Sequence, residues 1–234
     1  MAVTDFNCED CEIVIIDNFV PSSTGIGGSL RFMNPFTGVY FDITYPYFES
    51  GEIAKFDSDF WIKCPNPNGG DQIKRFVITD SDCSIGHAAS GPAAIIDSNL
   101  YPNTGNGLCA KNASTLIMGS VSIFDPTTNN ICEVDVSTNT AVVTPLFQAN
   151  GFVSGDIVYI PTTDTIVAMI DVGSGVTNII HYEMNGNVLG VGPVNFSGSG
   201  PDSLFSYEEH VYIHVNTSTG NITSGMYKFD LANY

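Results

Sequence analysis

Thr165-Ile-Val-Ala-Met-Ile170 runs into Asp171-Val-Gly-Ser-Gly-Val176 and then into Asn178-Ile-Ile-His-Tyr-Glu-Met184. This is an apolar strand, a short Gly-rich turn and a second strand. The same order occurs upstream in Ser120-Val-Ser-Ile-Phe124, Asp125-Pro-Thr-Thr-Asn-Asn130 and Ile131-Cys-Glu-Val-Asp-Val136. It occurs again downstream in His210-Val-Tyr-Ile-His-Val215, Asn216-Thr-Ser-Thr-Gly-Asn221 and Met226-Tyr-Lys-Phe-Asp-Leu231. The interval is about 45 residues, a period that marks small repeated sheets, each too thin to bury a face without stacking on a neighbour.

Two looser copies precede these. Ser29-Leu-Arg-Phe32 and Val39-Tyr-Phe-Asp-Ile43 flank the turn Asn34-Pro-Phe-Thr-Gly38, and Asp59-Phe-Trp-Ile-Lys63 and Gln72-Ile-Lys-Arg-Phe-Val-Ile78 flank Pro65-Asn-Pro-Asn-Gly-Gly70. Thr140-Ala-Val-Val-Thr144 and Asn187-Val-Leu-Gly-Val191 follow their repeats as outer strands. Gly155-Asp-Ile-Val-Tyr-Ile160 and Leu204-Phe-Ser-Tyr207 lead in as innermost ones. No stretch of a dozen residues combines a 3.6 period with helix-forming composition, while Gly, Thr, Val, Ile and aromatics abound. The fold class is therefore all-β, with about five small antiparallel sheets of up to four strands.

The chain is read as one domain, 1–234. Residues 1–28 form an N-terminal arm in which Glu12-Ile-Val-Ile-Ile-Asp17 is left over and would complete the last sheet, closing a ring and removing an exposed edge. Residues 84–114 carry Ala88-Ala-Ser-Gly-Pro-Ala-Ala94 and Tyr101-Pro-Asn-Thr-Gly-Asn-Gly107. Pro and Gly interrupt a ladder, so this segment is expected to be a long irregular loop and the first place to look for a partner contact.

Val121-Ser-Ile-Phe-Asp-Pro-Thr-Thr-Asn-Asn-Ile131, continued through Val134-Asp-Val-Ser-Thr-Asn-Thr-Ala-Val-Val143, resembles the YVTN/NHL-type β-propeller repeat. In that family an apolar strand enters an Asp-Pro-Thr-Thr-Asn turn, and a second strand ends in another Thr/Asn turn. Gly155-Asp-Ile-Val-Tyr-Ile-Pro-Thr-Thr-Asp164 is similar to the same strand-and-turn element. The resemblance implies a propeller-like architecture and no particular activity. The chain has room for about five blades, fewer than the family's usual six or seven. In composition and style the chain is also similar to bacteriophage virion proteins of the tail, fibre or capsid surface. That likeness implies a structural role, with other structural proteins of the same assembly, or further copies of the chain, as partners.

Charge narrows the function. Seven Lys+Arg against 25 Asp+Glu give a formal net charge of -18. So few cations cannot supply the phosphate contacts of a nucleic-acid binder, nor dock on an anionic lipid surface. No apolar run approaches a membrane span. The acidic start, Met1-Ala-Val-Thr-Asp-Phe-Asn-Cys-Glu-Asp10, lacks the basic and apolar regions of a secretory signal, so synthesis in a cytoplasm without export by the usual route is expected, followed by residence in a virion.

Chemistry-bearing residues are scattered. Asp57-Ser-Asp59 and Asp80-Ser-Asp82 place Asp57, Asp59, Asp80 and Asp82 around the second repeat, where alternating carboxylates on turns could hold calcium; the competing reading is turn-forming Asp bonded to local backbone. Cys8 and Cys11 are open to three readings, as free thiols, a disulfide or metal ligands. Tyr45, Tyr47, Trp61, His87 and Tyr101 are the candidate contact residues for a partner or, in the alternative reading, for a glycan that aromatic rings would stack against. His210 and His214 share a strand face with Tyr212 between them. No P-loop, dinucleotide fingerprint or nucleophile elbow is present. No repeat is expected to place a lone acid inside a strand as a catalytic centre would. The expected function is thus non-enzymatic, with no resident cofactor other than the calcium candidate. A carbohydrate-binding or glycan-cleaving propeller and an intracellular scaffold are the alternatives.

Overall fold

A computed structural model of the chain describes residues 2–8, 11–18, 28–33, 40–45, 53–56, 59–65, 71–78, 88–95, 103–121, 129–173, 177–192, 203–207, 210–215, 225–229 and 231. The regular structure among them is strand, arranged in five antiparallel sheets. The first sheet holds β1 (Ala2–Cys8), β2 (Cys11–Asn18), β3 (Gly28–Met33) and β4 (Tyr40–Tyr45), in that order. The second holds β5 (Ile53–Phe56), β6 (Asp59–Pro65), β7 (Asp71–Ile78) and β8 (Ala88–Ile95). The third is built from β9 (Asn103–Ala110), β10 (Thr115–Val121), β11 (Asn129–Asp135) and β12 (Val142–Gln148). The fourth comprises β13 (Phe152–Ile160), β14 (Thr165–Asp171), β15 (Thr177–Glu183) and β16 (Val188–Gly192), and the fifth β17 (Ser203–Tyr207), β18 (His210–Val215) and β19 (Gly225–Phe229). Every sheet is a meander, each strand pairing with the next in sequence, since local closure has a small entropic cost.

The chain divides into two compact units. One is Met1–Ser98 with Asn112–Ser114 and Val136–Ala141; the other is Asn99–Lys111, Thr115–Asp135 and Val142–Tyr234. In the second unit the fourth sheet is covered on both faces. Ile166, Ala168, Ile170, Ile180 and Tyr182 pack with Ile117 and Ile131 of the third sheet. Val167, Met169 and Ile179 pack with Leu204, Val211, Ile213 and Phe229 of the fifth. That double burial explains why β14 reads Ile-Val-Ala-Met-Ile without polar alternation, as a strand buried on both faces should. The innermost strands β9, β13 and β17 run alongside one another. Gly107, at φ +96°, allows the first of these approaches, since a Cβ there would stand 2.6 Å from the carbonyl oxygen of Gly155.

Three expectations are corrected. The segment 84–114 contains two strands, β8 and β9, instead of one irregular loop. Both are edge strands of their sheets, and an edge strand has one ladder neighbour, so Pro92 need not break a shared ladder and Gly costs little packing. Glu12–Asp17 is not a closing strand for the last sheet. It lies in β2, which pairs with β1 on one side and β3 on the other, so both of its edges are occupied. Ala2-Val-Thr-Asp-Phe-Asn-Cys8 lacks a continuous apolar run, which hid β1 and made β2 look unpartnered. The hairpin of the first repeat is consequently β3–β4, the third and fourth strands of its sheet, whereas in the other four sheets the repeat marks the second and third.

Candidate functional site

Within the first unit, Trp61 and Arg75 are direct cross-strand partners on β6 and β7, and Asp59 lies two residues from Trp61 on the same strand face. The Arg75 guanidinium donates to Asp59 Oδ2 at 2.5 Å. The arginine side chain is 44% exposed and the aspartate side chain 13%. A cleft of about 140 Å³ opens here, floored by Trp61 and Ile73 and walled by Arg75, Ser114, Val136 and Ser137. The connections that carry Ser114 and Val136 are joined by a 2.9 Å bond from Val136 N–H to the Ser114 carbonyl. Asn112 Oδ1 accepts from the Ser114 N–H at 3.0 Å.

This geometry changes two of the sequence expectations. Trp61 is 1% exposed, so its ring is part of the core and reaches solvent only at the floor of the cleft. Asp59 is committed to Arg75, and a carboxylate already neutralised by a guanidinium is a poor calcium ligand. Asp57, Asp80, Asp82, Tyr47, His87 and Tyr101 lie outside the described residues; Tyr45 closes β4. Cys8 and Cys11 are direct partners across the β1–β2 hairpin. Among the described residues no group of three or more His, Cys, Asp or Glu could hold a metal ion. His210 is exposed, and its ring meets Tyr212 edge-on at 6.5 Å; Tyr212 in turn stacks on its cross-strand partner Phe205 at 5.5 Å.

The residue that sequence reasoning missed is Asp156, and it corrects the expectation that no repeat places a lone acid inside a strand. It is a lone acid inside the innermost strand β13, at a register irregularity between Val153 and Ile157, and its Oδ2 accepts the Leu204 N–H of β17 at 2.8 Å. Burial pushes its carboxyl above the usual carboxylate range, and the Leu204 N–H partly opposes that shift. Cys109 on β9 faces the same junction. Burial holds its thiol far above the ordinary value, with the Asp156 charge adding to the effect. Tyr159 donates to Asp164 Oδ1 at 2.9 Å, and burial together with that bond raises its phenol to about 12. The buried thiol packs at this junction, and the phenol serves as a hydrogen-bond donor to Asp164. The available signal was an acid between Gly155 and Ile157 in an otherwise apolar strand.

A third region lies at the rim of the second unit. Val142 on β12, Val188, Leu189 and Val191 on β16, and Met226 on β19 are between 42% and 57% exposed. Phe147 of β12 packs its ring on Tyr182 of β15 at 5.1 Å, leaving a half-buried aromatic beside this rim.

Five small antiparallel meanders, stacked face to face where their packing is described, define a protein of the β-propeller class, and solved structures bear this out. A chain of the nidogen/laminin complex matches with a TM-score of 0.53 at 12% identity, over 80% of this chain and 64% of that one. TolB from Acinetobacter baumannii matches with a TM-score of 0.50 at 9% identity, over 91% of this chain and 51% of its own. The chain thus spans 64% and 51% of the two it matches, and at these identities the likeness is one of fold. No family model and no curated protein matches the sequence.

Proposed function

We propose that the protein is a non-enzymatic recognition module that works through protein–protein contacts as part of a larger assembly. The observation that carries this reading is a set of exposed aliphatic side chains, Val142 on β12, Val188, Leu189 and Val191 on β16, and Met226 on β19, on strands that are themselves only partly covered. Exposed aliphatic side chains in this number offer area that a partner's surface can cover. The one described cleft of the first unit, about 140 Å³ with its tryptophan buried, is small for a glycan subsite.

A virion is the setting we favour, supported by the Asn/Thr/Gly-rich β repeats and the scarcity of basic residues. The test pairs two measurements on the full chain. Size-exclusion chromatography with light scattering, alone and with the other structural proteins of a candidate particle, should show an oligomer or a stable complex. A glycan array with hydrolysis assays on generic glycosides should show neither binding nor turnover. A monomer that ignores particle proteins and cleaves a glycan would overturn the reading.

A further inference from the structure

We propose that the outer edge of β16 is a strand-addition site for an extended segment of a partner protein in which lysine or arginine alternates with aliphatic residues. The inference rests on the protein-interaction reading above and names its site and the chemistry of its partner. β16 is the last strand of the fourth sheet and pairs with β15; among the described residues no strand pairs with its other edge.

Sheet edges are commonly guarded by charge, by proline or by a bulge, because unpaired N–H and C=O groups template further strands. Here β8 carries Pro92 and β12 carries Pro145. β16 reads Val-Leu-Gly-Val-Gly, with neither proline nor charge, and a single bulge is the guard it carries. Its register shift falls between His181 and Tyr182, so Leu189 is the extra residue and Gly190 to Gly192 continue in regular pairing.

The edge is also held in place. Glu183 accepts from Asn187 Nδ2 at 2.7 Å and Asn185 Nδ2 at 3.0 Å, and Asn187 N–H donates to Asn185 Oδ1 at 2.9 Å. A strand fixed by its own turn has little left to order when a partner arrives. Val188 and Val191 stand opposite Tyr182 and Ile180, so they extend the apolar face that those two bury. An incoming strand would lay alternate side chains along that face and turn the others outward.

Charge selects the occupant. Between residues 142 and 234 there is one cation, Lys228, against eight acids. A second copy of the chain would bring the same net charge of -18 and be repelled, as would an acidic peptide; a basic strand is attracted.

The experiment uses the full chain and synthetic ten-residue peptides of alternating Lys and Val, alternating Glu and Val, and alternating Lys and Gly, with hydrogen–deuterium exchange and fluorescence anisotropy as readouts. Lys–Val should bind, slow exchange at the amides of Val188 to Gly192, and weaken with added salt. The other two peptides should bind at least about tenfold more weakly, since one lacks the charge and the other the aliphatic strand. The double variant V188K/V191K, checked for fold by circular dichroism, should lose binding by about tenfold or more, and T144K at an exposed position of β12 should not. Equal binding of Lys–Gly, no protection at β16, or protection of β16 by self-association would overturn the proposal. A partner protein that binds and protects another segment overturns the edge assignment and leaves the interaction reading intact. Glycoside cleavage without any protein partner overturns that reading itself.

Discussion

β15 and β19 occupy the same place, the third strand of consecutive sheets, and their surroundings differ. β15, Thr177-Asn-Ile-Ile-His-Tyr-Glu183, is buried through its four central residues. β19, Gly225-Met-Tyr-Lys-Phe229, leaves Met226 56% and Tyr227 39% exposed. The fourth sheet supplies β16 beside β15 and the third sheet packs on its face, whereas the fifth sheet has three strands among its described residues. Position within a repeat therefore does not set burial; the next strand and the next sheet do. A half-exposed strand retains a surface that can bind.

The largest expected effect comes from breaking that contrast directly. Ile180→Ala removes a side chain packed against the third sheet and should cost about 3 kcal/mol, because the surrounding sheets cannot collapse into the cavity. Met226→Ala at the exposed third strand should cost under about 0.5 kcal/mol. Urea unfolding of both variants gives the pair of numbers, and equal losses would show that the two strands are equally covered.

Next is the turn that delivers β16. Gly186 has φ +91°, and a Cβ there would lie 2.7 Å from Phe147. Gly186→Ala should destabilise by about 2 kcal/mol through strain and that clash, read from the unfolding midpoint. It should also speed amide exchange at β16 more than at β12.

A smaller effect is expected in the first unit, where the ion pair is half in water. Arg75→Met leaves the Asp59 carboxylate without its guanidinium; after allowing for solvent screening the expected loss is about 1 kcal/mol, diminished further by added salt. Thermal melts at two salt concentrations would show it.

Smallest is a pH effect within β15. His181 is 5% exposed and shares a 2.9 Å bond between Nε2 and Thr165 Oγ1. Burial lowers its pKa below the ordinary 6.5. The unfolded chain therefore takes up a proton that the folded chain refuses. The stability is present in full above 6.5 and is lost as the pH falls from there through the depressed folded value. His181→Gln should flatten that slope in urea titrations at successive pH values, and an unchanged slope would mean the histidine is no more desolvated when folded than when unfolded.

Legibility followed the locality of the signal. The hairpins of β14–β15 and β18–β19 were readable because an apolar run, a Gly/Asn/Thr turn and a second apolar run are each written in adjacent residues. Strand β1 was missed because it lacks a continuous apolar run. β8 and β9 were missed because Pro92 and Gly105 look like breakers until the strands are known to lie at sheet edges. Trp61 looked like a contact residue from its aromatic neighbourhood, and only the sheet around it shows a ring with 1% exposure. Asp156 drew no notice within the expected strand 155–160, and its significance comes from the Leu204 N–H, 48 residues away in sequence.

The sequence by itself therefore determined the hairpins β14–β15 and β18–β19 and the all-β class, since turn chemistry and side-chain period act over a few residues. It placed β10 several residues late, at 120–124 where the strand is Thr115–Val121. The tertiary structure alone decided which of those strands are covered, which acid is desolvated and which edge stays open. Burial and desolvation depend on atoms brought together from distant parts of the chain, and no period of 45 or so residues encodes what will lie next to the last strand of a sheet.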